Sequence, residues 1–106
     1  MVIDVDLHAA PVTVRLVEPD DFGAFMILAR SPGMDRGRLE PAVARLGHMT
    51  ADGHVVVDVT AIKALAGERA TQPGWLASLD GMLEYAGAHG WLDDTGAIRA
   101  HVEWSA

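Results

Sequence analysis

Six apolar side chains, Trp75, Leu76, Leu79, Met82, Leu83 and Ala86, recur at i, i+1, i+4, i+7, i+8 and i+11. That spacing predicts one amphipathic helix with a single apolar stripe. Pro73 falls in the first turn, where proline is tolerated, with Thr71 or Gln72 before it to cap. Gly90, just after His89, supplies the left-handed residue that ends helices. Beyond the turn Asp93-Asp94-Thr95-Gly96, Ile98, Ala100, Val102 and Trp104 alternate with Arg99, His101 and Glu103. This predicts a strand with one buried and one polar face. If the strand returns beside the helix, Trp75 and Trp104 meet near the helix start.

Shorter signals precede this unit. Ile3, Val5 and Leu7 alternate with Asp4, Asp6 and His8, and Val12, Val14 and Leu16 with Thr13 and Arg15, which predicts two strands. If the two pair with their apolar residues on one face, partner numbers must sum to an odd value, as Asp6 with Arg15 or Asp4 with Arg15 does. Phe22–Ala29 is almost continuously apolar. Periodicity does not separate strand from helix there, and we read a central strand, since a helix apolar all round is rare in so small a chain.

Leu39, Val43 and Leu46 keep helical spacing, with Glu40-Pro41 at N-cap and N1 and Gly47 at the exit. Asp52-Gly53 is a hairpin dipeptide leading into Val55-Val56-Val57. Asp58 or Thr60 then caps a short helix through Leu65, stopped by Gly67. These elements make an α+β fold: a largely antiparallel sheet of about five strands, with the long C-terminal-half helix and two shorter helices packed on one face. Residues 1–106 read as a single compact domain.

Composition adds two things. The apolar share, counting glycine and omitting tyrosine, is about 59%, against a usual ~45–50%. Together with Gly81 and Gly87 inside the long helix, this surplus predicts a homo-oligomer, a dimer being the commonest form. The net charge of −7, with one lysine and no cluster of arginines, argues against nucleic acid and anionic membranes. No run reaches the ~18 apolar residues of a membrane span, and the opening alternation of apolar and acidic residues is unlike a signal peptide. Without cysteine there is no disulfide, thiolate nucleophile or zinc–thiolate site. A cytoplasmic bacterial chain is the expectation.

Candidate chemistry is sparse. Of the five histidines, His48 and His54 straddle the Asp-Gly turn. A two-residue hairpin there sets His54 opposite Ala51 and His48 opposite Val57, too far apart to share an ion. His89 and His101 are separated by roughly 20 Å of strand, and His89 suits the last turn of its helix. No metal site or cofactor is therefore expected. Asp4 and Asp6 face solvent or are answered by Arg15. The most loaded set is Arg99, His101 and Glu103, on one face of the last strand. Glu103 can orient the His101 ring for acid–base work, and Arg99 can hold an anion. The ordinary alternative is the charged outer face of an edge strand.

Two functional classes follow. The first is a small acidic module, without catalysis, that self-associates or docks on a partner protein. The second binds a small molecule, or is a cofactor-free enzyme, through Arg99, His101 and Glu103. The module leads, because no catalytic motif stands in the chain.

Overall fold

The computed structural model describes residues 1–106. In chain order the elements are β1 (Val2–Asp6), β2 (Thr13–Val17), β3 (Met26–Arg30), α1 (Arg36–Ala42), β4 (Gly47–Met49), β5 (Val55–Val57), α2 (Val59–Ala66), a 3₁₀ turn (Gly67–Thr71), α3 (Pro73–Ala88) and β6 (Ile98–Ser105). The α+β class holds, but the sheet has six strands and is mixed. Its order is β2-β1-β3-β6-β5-β4. Strands β1, β3 and β6 run parallel in the middle, and the remaining pairs are antiparallel.

The expected antiparallel sheet fails at β3 and β6, for a reason that lies outside both strands. The Glu18–Phe25 segment carries the chain from β2 past β1 to its far side, so β3 arrives parallel to β1. The last strand then inserts between β3 and β5. It is an internal strand and not the expected edge. Phe22–Ala29 is a strand only from Met26 onward. Phe22 and Phe25 belong to the preceding loop and pack against the core. The Met1 ammonium donates to the carbonyls of Asp21 at 2.7 Å and Ala24 at 2.9 Å, which pins that loop.

Strand alternation sends Ile3, Val5, Ile27, Ala29, Val55, Val57, Ile98, Ala100 and Val102 to one face. There they join Leu39, Val43, Leu46, Ile62, Trp75, Leu79, Met82 and Ala86 from the helical side in one cluster of 19 buried residues. Helix α3 buries the expected stripe, with Trp75, Leu79, Met82 and Ala86 inside. Pro73 opens it, but neither candidate cap works. Gln72 holds the N-cap position without a side-chain bond, and the Thr71 hydroxyl donates to Glu68 O at 2.7 Å. At the other end Gly90 adopts φ +75 and Trp91 N donates to Ala86 O at 2.9 Å. This is the glycine-based closure the pattern predicted.

Three local expectations shift. Helix α1 begins at Arg36, four residues before Glu40, because Asp35 is the N-cap and accepts from Arg38 N at 3.1 Å. Pro41 lies inside that helix and has no N–H to donate back to Gly37; the helix ends at the next residue. Trp75 does not meet Trp104. Its ring packs edge-on against Phe22 with centroids 5.7 Å apart, and Nε1 donates to Pro19 O at 2.9 Å. The Glu18–Phe25 loop, rather than the far end of β6, borders the start of α3.

The glycines divide into two kinds. A Cβ on Gly47 would stand 1.8 Å from Val56 O, so the β4–β5 pairing requires glycine there. One on Gly87 would touch Leu92 of the same chain at 3.3 Å, and one on Gly81 would meet nothing within 4 Å. Gly47→Ala is therefore expected to cost about 3 kcal/mol or more by forcing the two strands apart. Gly81→Ala should instead stabilise by up to about 1 kcal/mol through helix propensity. Trp75→Ala should cost about 3–5 kcal/mol. Urea melts of the three variants check these values. A neutral Gly47→Ala would contradict the β4–β5 register.

Candidate functional site

The β4–β5 turn sets the site. Gly53 takes φ +85, a conformation that glycine adopts without steric cost. Gly53 N donates to Thr50 O at 3.1 Å and Thr50 N to His54 O at 2.8 Å, which makes a three-residue loop in place of the expected two. The register moves accordingly. His48 stands opposite Val56, not Val57, and His54 opposite Thr50, not Ala51.

Strand β6 lies on the other side of β5, with Val56 opposite Arg99 and Val55 opposite Ala100. One step along that ladder His54 and His101 meet, with ring centroids 6.1 Å apart. Local spacing does not reveal this pair, because it joins residues 47 positions apart through a strand order that no local pattern carries. Arg99 Nη2 lies 3.3 Å from His54 Nε2 and 3.4 Å from Asp52 Oδ2, and His54 Nδ1 lies 3.2 Å from Asp52 Oδ1. The Thr50 hydroxyl donates to Asp52, followed in effect by the His54 contact, and together they hold the Asp52 carboxyl at about 2 against a usual 3.8. His101 Nε2 and Glu103 Oε1 stand 3.8 Å apart.

The three residues singled out from the sequence thus share one face and one neighbourhood. His54, Asp52 and Thr50 join them from the turn. With Phe25 and Trp91, the residues His54, Arg99 and His101 line an open cavity of about 270 Å³. Trp91 is held at the end of α3 by its own N–H bond and by Arg99 N donating to its carbonyl at 2.8 Å. His89 stacks on it with centroids 4.7 Å apart and an angle of 27°, and His89 Nδ1 sits 2.9 Å from Tyr85 O. His89 does occupy the helix terminus as expected. Its stacking was not foreseen, because Gly90 turns the chain back.

Water reaches the pair that acid–base chemistry would use, since the His101 side chain is 64% exposed and Glu103 59%. Such a pair can exchange protons with solvent, but nothing in the chain closes over it. No three His, Asp or Glu side chains converge with the geometry of a metal site.

The same face continues across β3, β1 and β2 in three rows. Val17, Val2, Met26 and His101 form the first, and Arg15, Asp4, Leu28 and Glu103 the second. Thr13, Asp6, Arg30 and Ser105 form the third. Asp4 is nearly buried, 5% exposed, and answers two arginines: Arg30 Nε at 3.0 Å and Arg15 Nη2 at 3.6 Å. The Arg15 pairing is one the odd-sum rule had allowed. The Arg30 contact depends on β3 running parallel to β1, a direction that no local pattern in the sequence carries. Its hydrogen bond to Asp4, and then the Asp4 charge, raise the Arg30 pKa.

Set against family models, characterised proteins and solved structures, the chain matches none.

The Asp52 geometry carries a pH prediction. A carboxyl held below its unfolded range stabilises the turn fully above about pH 4 and loses that contribution as pH falls toward 2. Carboxyl-carbon NMR should place the Asp52 midpoint near 2, and Thr50→Val should return it toward ~3.9. An Asp52 that titrates normally in the unmodified chain would refute the hydroxyl bond.

Proposed function

We propose that the chain is a docking module without catalysis, and that it docks through the open face of its sheet. One observation carries this reading. Strands β1, β3 and β6 form a parallel centre in this mixed sheet, and sheets built only of parallel strands are found almost always with both faces covered. Here the helices supply one cover. On the other face Val2, Met26 and Leu28 stand half-buried in the centre, ringed by Arg15, Arg30, Asp6 and Glu103, with no second layer. A partner surface is the layer that completes the architecture. The cavity at the β5 end, with the rigid and partly exposed Trp91 on its rim, extends the docking area; buried aromatics and arginines dominate such contacts.

A second reading is favoured by the convergence of His54, Arg99 and His101 on that cavity. In it Arg99 holds a small anion while His101 and Glu103 move a proton. It requires walls that only a docked partner can supply, so it depends on the first. Composition is what supports reading the module as a cytoplasmic bacterial protein. No helix is long and apolar enough to cross a membrane.

The docking reading is tested by a photo-crosslinking residue at Met26, compared with one at Ser78 on the exposed side of α3, in cells that express the chain natively. The expected outcome is one discrete adduct from position 26, with itself or with another protein, and none from position 78. Equal labelling from both positions would sink the reading.

A further inference from the structure

We propose that the missing layer is a second copy of this chain, docked face to face about a two-fold axis running along the strands between β1 and β3. The proposal rests on the docking reading and names its occupant. The three rows of the open face supply the argument.

An axis between β1 and β3 exchanges those two strands and exchanges β2 with β6. In the second row Arg15 then faces the partner's Glu103, and in the third Asp6 faces the partner's Arg30. In the first row Val2 faces the partner's Met26, and Val17 covers the partner's His101. Symmetry makes each contact twice. In the centre Leu28 covers the partner's Asp4, which is already paired within its own chain, and both flanks carry opposite charges.

Other placements are worse. An axis along β1 sets Asp4 against the partner's Asp4 and Asp6 against the partner's Asp6. An axis along β3 sets Asp4 against the partner's Glu103. An axis across the strands through the second row opposes Arg15, Asp4 and Glu103 each to its own copy. Like charges directly opposed are destabilising.

Twist does not defeat the pairing. Packed sheets cross at about −30°, and β2 and β6 lie about 7 Å from the axis at ~4.8 Å per strand. The rotation displaces Arg15 and the partner's Glu103 by roughly 4 Å, which arginine and glutamate side chains can span. Both are free to move, at 70% and 59% exposure.

The charge distribution points the same way. The chain carries −7 in total, yet Arg15, Arg30 and Arg99 on this face offset Asp4, Asp6 and Glu103. Asp52 lies at the rim and is already shared with Arg99 and His54. The acidic excess therefore lies elsewhere, and two copies can meet here with little repulsion.

Sedimentation equilibrium from tens to hundreds of micromolar tests the proposal. The unmodified chain should sediment at twice its 11.3 kDa. Arg15→Glu alone and Glu103→Arg alone should each weaken association at least tenfold. Mixed together they should restore it, because both copies of the contact then pair Glu with Arg. Arg15→Glu also places an acid beside Asp4, so circular dichroism checks its fold. Met26→Glu, between Val2 and His101 and outside every ion pair, gives an independent break in the dimer. A chain that stays at 11.3 kDa at hundreds of micromolar overturns the proposal. So does a dimer indifferent to Met26→Glu, or a mixture of folded charge variants that does not reassociate. If the chain is monomeric while position 26 traps a different protein, the docking reading stands and the second copy falls.

Discussion

The insertion of β6 between β3 and β5 is the constraint on which the rest depends. One side of the sheet, β2-β1-β3, is built from the first 30 residues, and the other, β5-β4, from the middle of the chain. The two share no strand pairing until the last eight-residue strand hydrogen-bonds to both. Its apolar residues also bring β3 and β5 over one helical layer, so Ile98, Ala100 and Val102 lie in the same cluster as Ile27 and Val57. The cost of closing so long a loop is repaid only when both neighbours are present, which makes the sheet cooperative across its full width.

The same insertion creates the candidate site. His54 and Asp52 belong to a turn in mid-chain, whereas Arg99, His101 and Glu103 belong to the final strand. They become neighbours only because β5 and β6 are adjacent. The left-handed Gly53 adds the extra loop residue that sets His54 level with Thr50, while the β5–β6 register, with Val55 opposite Ala100, sets it level with His101. Trp91 reaches the same cavity by a separate route, through the glycine closure of α3 and its backbone bond to Arg99. A rigid aromatic, a guanidinium and two imidazoles thus converge from three parts of the chain. All four stand partly open to water.

The open face explains an otherwise odd economy of charge. A chain this acidic spends three of its few arginines on one side of the sheet. Two of them, Arg15 and Arg30, hold the nearly buried Asp4. Removing both would leave the Asp4 charge unpaired in a poorly hydrated place. The pairing therefore keeps a polar face intact over parallel strands that would elsewhere lie under apolar helices. The solution leaves a surface neither fully polar nor fully apolar.

What the sequence determined by itself was what rests on a local period or a local stop. The stripe of α3, its Pro73 start and Gly90 stop, and the alternation of β1, β2 and β6 could all be read from neighbours. So could the fact that Arg99, His101 and Glu103 share a face turned from the helices. The choice of Asp4 over Asp6 as the partner of Arg15 could not. Where local signals competed, boundaries moved. Asp35 capped α1 ahead of the more obvious Glu40-Pro41, and Gly53 chose a three-residue turn. The tertiary structure alone decided strand order and direction, the partner of Trp75, and the meeting of His54 with His101. Each of those depends on where the chain goes between elements. Side-chain periodicity records which face of a strand is buried, but the same alternation serves a parallel or an antiparallel neighbour, at an edge or in the middle. Only the shared core, closing over all six strands at once, selects among them.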